Sequence, residues 1–153
     1  MIDAPDTAPD FTLPSDDGSS VTLSALRPAP VVLFFYPRDN TSGCTREATD
    51  FTDLAPAFAK LGVRVFGISK DSLASHEKFR AKHELGIPLL SDADDTTSED
   101  YGVWAEKKMY GKIFLGIERS TFLIDGSGRV ARAWRKVKVP GHAQEVLEAA
   151  RAL

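Results

Sequence analysis

The one cysteine of the chain, Cys44, lies in the run Pro37-Arg38-Asp39-Asn40-Thr41-Ser42-Gly43-Cys44-Thr45-Arg46-Glu47. Six apolar residues, Val31 to Tyr36, precede that run, and Phe51, Leu54, Phe58 and Leu61 follow it at helical spacing. This order puts Cys44 in or just before the first turn of a helix. Free N–H groups and the positive end of the helix dipole point there, and both favour a thiolate over a thiol. Thr41 can place a hydroxyl beside the sulfur, and Gly43 lets the backbone approach closely. A cysteine kept for packing belongs more often inside an apolar run. Flanked by Thr, Ser, Gly and Arg, Cys44 reads as a nucleophile.

Other constellations carry less. A lone cysteine excludes an intramolecular disulfide and any CxxC zinc site. Glu47 stands where a dithiol oxidoreductase needs its second cysteine, which disfavours that class. His76 and His83 lie about two helical turns apart, ~10 Å of rise, too far to share a metal, and read as solvated helix residues. Asp92-Ala93-Asp94-Asp95 resembles a calcium loop, but Thr97 and Val103 replace the Gly and Glu such a loop needs, so a solvated loop is expected. Trp104, Tyr110 and Trp134 read as core and rim aromatics. No metal or cofactor is called for.

Nineteen basic and 22 acidic residues give a net charge of −3 without a dense basic block, so neither nucleic acid nor an anionic membrane is an expected partner. The alternating basic stretch Arg132 to Lys138 fits the solvent face of a strand. The longest apolar run, six residues, is far below the ~20 that span a bilayer. The first basic residue is Arg27, whereas a secretory signal opens with basic residues, so a cytoplasmic protein is expected.

Those residues need a scaffold. At 153 residues, 42% hydrophobic and 27% charged, the chain is expected to form one domain, 1–153, with a packed core. Prolines 5, 9 and 14 make the first 27 residues an extended entry, with a turn at Asp16 to Ser19 before a short strand, Val21 to Leu23. Val31 to Tyr36 reads as a central strand covered on both faces. The helix beginning near Cys44 should kink or break around 52–56, ahead of Pro56. Then follow a strand over 63–69, a helix over 72–85, a strand near 88–90 and a short helix near 97–103. Strands 121–124 and 130–137 form an antiparallel hairpin around Asp125-Gly126-Ser127-Gly128. A closing helix over 142–152 should bury Val146, Leu147 and Ala150, with Leu153 as a further candidate. The order predicts an α/β fold with a central mixed sheet and helices on both faces.

The stretch FFYPRDNTSGCTREATDF resembles the active-site loop of the peroxiredoxins, in particular the bacterioferritin comigratory protein (Q-type) subfamily. Its signature of Pro, three residues, Thr, two residues, Cys is met by Pro37, Thr41 and Cys44. KKMYGKIFLGIERSTFLID resembles the second recognisable segment, which places the family arginine at Arg119, and WRKVKVPGHAQEVL matches the closing one. The resemblance implies a thioredoxin-like fold and reduction of hydrogen peroxide and organic hydroperoxides by Cys44, in antioxidant defence. It also implies that Thr41 and the N–H groups around Gly43 and Cys44 hold the peroxide, that Arg119 stabilises developing charge, and that Pro37 shields the site. Glu47 matches a family glutamate that orients such groups, and equally suits a first-turn position favoured by the dipole.

The sequence departs from the subfamily at both places where a resolving cysteine is common. Thr49 stands five residues after Cys44, and Arg80 stands in the helix after the second central strand. An outside thiol, whether thioredoxin, glutaredoxin or glutathione, must then regenerate Cys44. The subfamily implies a monomer. The rival reading on the same fold is a peroxide sensor or holdase that does not turn over.

Overall fold

The elements run β1 (Thr12–Pro14), β2 (Ser20–Thr22), a 3₁₀ turn (Leu23–Leu26), β3 (Val31–Phe35), α1 (Ser42–Lys60), β4 (Arg64–Ser69) and α2 (Leu73–His83). They continue through β5 (Leu89–Ser91), α3 (Thr97–Asp100), β6 (Trp104–Met109), β7 (Lys112–Ile117), β8 (Ser120–Ile124), β9 (Val130–Arg135) and α4 (His142–Arg151). This computed structural model describes residues 2–153. Strand β3 is the middle of a five-stranded sheet in the order β5-β4-β3-β8-β9. β4 joins it in parallel and β8 antiparallel, so the sheet is mixed, as its connections predict.

All five residues of β3 are buried, and their alternation divides the interior. Val32, Phe34 and Tyr36 enter a core built with Phe51 and Phe58 of α1, Phe79 of α2, and Val146 and Leu147 of α4. Val31, Leu33 and Phe35 enter the opposite core, closed by Phe11 and Leu13 of the entry segment, Leu23 of the 3₁₀ turn, and Tyr101 and Val103 after α3. The three long helices therefore cover one face. The entry segment and the short α3 cover the other.

Several expectations need correction. Helix α1 is continuous through Pro56, without the break expected over 52–56; Pro56 is exposed, so its lost donor costs no buried hydrogen bond. β9 ends at Arg135, because Lys136 adopts φ of 50° and leaves the β region. Leu153 is exposed beyond the end of α4. Asp92 is buried, not solvated: its carboxylate accepts the N–H groups of Thr97 and Ser98 at the start of α3 and pairs with Lys70 at 3.2 Å. Tyr110 is neither core nor rim but almost wholly exposed, at the tip of a β6–β7 hairpin that the sequence pattern did not reveal. No described helix is long and apolar enough to cross a membrane.

Where α4 starts, His142 is buried and its Nε2 meets Thr121 Oγ1 at 2.8 Å. Burial lowers its pKa from 6.5 to about 4. The unfolded chain takes up this proton below about 6.5 and the folded one only near 4. Stability therefore falls as pH falls across that window. Denaturant titrations at pH 7 and pH 4 should show His142→Gln losing less stability on acidification than the parent, by on the order of 2 kcal/mol; equal losses would mean that His142 is protonated in the folded state.

Candidate active site

Helix α1 begins where the loop after β3 is tied down. The Tyr36 hydroxyl donates to Asp39 Oδ1 at 2.6 Å, and Ser75 Oγ and His76 Nδ1 reach Asp39 Oδ2 at 2.8 and 2.7 Å. The Asp39 N–H donates to Asp71 Oδ2 at 2.8 Å, and His83 Nε2 meets Asn40 Oδ1 at 3.0 Å. His76, expected to be solvated, is wholly buried. Its Nε2 faces the Leu90 carbonyl at 2.9 Å, so both ring nitrogens face acceptors, an arrangement that favours the protonated ring. Burial alone would lower its pKa, but the hydrogen bond and charge of Asp39 outweigh burial and raise it. Asp39, Asp71 and His76 lie close enough to ligate a metal together, yet both nitrogens of His76 are already committed.

Held in this way, Thr41 becomes the N-cap of α1, and the first helical bond runs from Thr45 N–H to the Thr41 carbonyl at 2.8 Å. The N–H groups of Ser42, Gly43 and Cys44 precede that bond and have no helical acceptor. Cys44, 1% exposed, sits in this first turn with its sulfur against the helical core.

Arg119, in the short link between β7 and β8, reaches across to it. Its Nη2 donates to Cys44 Sγ at 3.2 Å and its Nη1 to Glu47 Oε1 at 2.7 Å. Burial would lower the pKa of Arg119, but Glu47 and Cys44 together raise it. A Cβ on Gly43 would stand 3.2 Å from Nη2, so the glycine leaves the guanidinium room to lie over the sulfur. Glu47, one turn beyond Cys44, is 1% exposed and its Oε2 has no partner. Burial raises its pKa from 4.5 to about 7, against the opposing pull of Arg119.

Thus Cys44, Arg119, Glu47 and Gly43 come together. Thr41 is near in sequence, but its Oγ1 donates to the Arg38 carbonyl at 2.9 Å and makes no hydrogen bond to the sulfur. Pro37 is half-buried directly after Tyr36. Sequence reasoning passed over Asp39, although it lies inside the singled-out run. It also passed over Lys107, whose pKa burial lowers, with Arg119 adding repulsion and Cys44 opposing. At the two positions where the family resemblance places a resolving thiol, Thr49 lies half-buried on α1, and Arg80 is bound to the Asp16 carboxylate and to the Leu85 and Ile87 carbonyls at 2.7 and 2.6 Å.

A mixed α/β sheet with a cysteine in the first turn of the helix after its central strand, under an arginine, defines a thiol-based redox protein. The AhpC/TSA family profile matches residues 4–133. Peroxiredoxin Bcp of Xanthomonas campestris is 46% identical over 152 residues, covering 99% of this chain and 95% of its own, and that of Bacillus subtilis 48% over 141, covering 92% and 90%. Among solved structures, the X. campestris bacterioferritin comigratory protein, described for alkyl peroxide reduction, superposes with a TM-score of 0.88 at 47% identity, covering 93% of this chain and 90% of that one. A Xylella fastidiosa PrxQ cysteine-to-serine mutant gives 0.94 at 41%, covering 99% and 97%. The chain belongs to the AhpC/TSA family, among the Bcp/PrxQ peroxiredoxins, and is a thiol peroxidase with a thioredoxin-like fold.

Two outcomes test this geometry. Because Glu47 is more readily protonated folded than unfolded, its contribution to stability is complete below about 4.5 and lost as pH rises through about 7. The stability of Glu47→Gln relative to the parent should therefore improve between pH 5 and pH 8 in denaturant titrations; no change would place a carboxylate there at both pH values. Gly43→Ala should keep a native far-ultraviolet dichroism spectrum while displacing Arg119, lowering the peroxide rate constant on the order of tenfold or more.

Proposed function

We propose that Cys44 is the peroxidatic residue and that Arg119, Thr41, Gly43, Glu47 and Pro37 form its site. The observation that carries the reading is the Arg119 Nη2 donor 3.2 Å from Cys44 Sγ, at a helix start with unpaired N–H groups. The thiolate attacks one oxygen of a hydroperoxide, forming an S–O bond as the O–O bond breaks. The leaving oxygen takes a proton and departs as water or an alcohol, while sulfur is oxidised to sulfenic acid. Arg119 and the N–H groups of Gly43 and Cys44 meet the charge that develops as that bond breaks. Thr41 Oγ1, its proton committed to Arg38, is free to accept the hydroperoxide O–H. Pro37 limits water, and Glu47 orients Arg119.

Hydrogen peroxide and organic hydroperoxides are the proposed substrates, in keeping with the alkyl peroxide reduction described for the X. campestris relative. With one cysteine in the chain, an outside thiol condenses with the sulfenic acid, releasing water and leaving a mixed disulfide. A second thiol then frees Cys44 and carries away the disulfide. Thioredoxin, glutaredoxin and glutathione are the proposed sources and the cytoplasm, where such thiols are kept reduced, the proposed location.

Arg119→Ala and Thr41→Val should each lower peroxide consumption by about 10² to 10³ with the fold intact. Full activity in either would remove that residue from the site. One equivalent of peroxide should add a single oxygen to Cys44 by mass spectrometry, and a supplied thiol should replace it with an adduct. Steady-state assays with thioredoxin and with glutathione/glutaredoxin supplied separately identify the reductant.

A further inference from the structure

Lys107 stands in β6 opposite Phe114 of β7, and alternation puts both on one face of the hairpin with Ala105 and Gly116. Trp104 and Ile117 occupy the other face and join the core beneath the entry segment and α3. The face of Lys107 therefore looks away from that core. A Cβ on Gly116 would stand 3.3 Å from the Lys107 Cδ and 3.6 Å from its Cε. The stem thus leans along β7 towards Gly116 and the Arg119 end of the hairpin, away from the turn at Tyr110-Gly111. Lys107 is half-buried, whereas Lys108 and Lys112 are exposed, and it belongs to none of the ion pairs among the described residues. Burial lowers its pKa and Arg119 adds to that, while Cys44 and Glu118 oppose, so its ammonium shares the field of the site.

The oxygen that leaves a hydroperoxide needs a proton, and the groups around the sulfur differ in having one to give. A guanidinium such as Arg119 does not release its protons. The Thr41 hydroxyl proton is committed to the Arg38 carbonyl. His142 is neutral at pH 7 and its Nε2 is taken up by Thr121. Glu47 is sealed in the interior with Oε1 on the guanidinium of Arg119. An ammonium less basic than an ordinary lysine gives its proton more readily, and no carboxylate holds this one back.

We propose that Lys107 is the acid that protonates the leaving oxygen, an inference that rests on Cys44 being the peroxidatic residue. The Cys44 thiolate attacks the hydroxyl oxygen of the hydroperoxide, and the S–O bond forms as the O–O bond breaks. The electron pair of the broken bond goes to the leaving oxygen, which takes one Nζ proton from Lys107 and departs as water or an alcohol. Sulfur is oxidised to sulfenic acid and the peroxide is reduced. Lys107 is left as a neutral amine, which solvent at its half-exposed end protonates again. Gly116 gives the stem its bed, and Arg119 meets the charge that Lys107 then neutralises.

Rate constants for oxidation of Cys44 by three oxidants test the assignment. Hydrogen peroxide and tert-butyl hydroperoxide release hydroxide or an alkoxide, which must be protonated, whereas peracetic acid releases acetate, which need not be. Lys107→Met should lose on the order of 10²-fold with the first two and much less with peracetic acid, whose retained rate also reports an intact site. Lys107→Arg keeps the charge but holds its protons, and should show the same split. Equal losses with all three oxidants in both variants would make Lys107 a charge and not an acid, which overturns the proposal, as does no loss at all. A split seen in Glu47→Gln and not in Lys107→Met overturns it too, by giving the proton to Glu47. If mass spectrometry finds no oxygen added to Cys44 of the parent, the reading of Cys44 itself fails and takes the proposal with it.

Discussion

The buried carboxylate of Asp39 is the fixed point from which the site is laid out. It takes hydrogen bonds from the end of β3 through Tyr36 and from the start of α2 through Ser75 and His76. Its own N–H is held by Asp71, after β4. A carboxylate this deeply buried is tolerable only because two hydroxyls and an imidazole whose pKa it raises surround it. Three elements thereby agree on where the loop runs, and so on where α1 starts. Everything that touches Cys44 follows from that starting point.

Within the site the charges are unequal in number. One guanidinium serves two neighbours, the sulfur of Cys44 and the carboxyl of Glu47, both nearly sealed from water. Burial works against ionising Glu47, whose second oxygen is left without a donor. The less charge Glu47 carries, the more of the field of Arg119 falls on the sulfur. The first turn of α1 adds partial charges that no proton transfer can remove.

Much of this was legible in the sequence because local signals agreed with tertiary ones. The unbroken apolar run of β3 announced a strand covered twice, and the junction after it announced the helix start at Cys44. What stayed hidden depended on partners distant in sequence. His76 looked like any polar helix residue, since nothing near it shows that Asp39, 37 residues earlier, waits in the interior. Arg119 came to light through the family resemblance, because a lone arginine before a strand has no local mark of its reach to Cys44. The β6–β7 hairpin escaped because Glu106, Lys107 and Lys108 interrupt any alternation, although Tyr110-Gly111 has the composition of a tight turn. Pro56 misled in the other direction, since on an exposed face the carbonyl it leaves without a donor can turn to solvent.

Arg80 gives the chain a particular relation to its surroundings. By joining α2 to Asp16 and to the carbonyls of Leu85 and Ile87, it fills with structure the place where the family resemblance puts a second thiol. Resolution inside one chain is first order and runs at its own pace whatever the surroundings contain. On the route proposed for Cys44 the return of sulfur to its reduced state is second order, so turnover under abundant peroxide would rise and fall with the thiol pool. When that pool is depleted, the sulfenic acid outlives its usual fate and meets another peroxide. On that proposed route, thiol scarcity would be written on Cys44 as a permanent chemical mark.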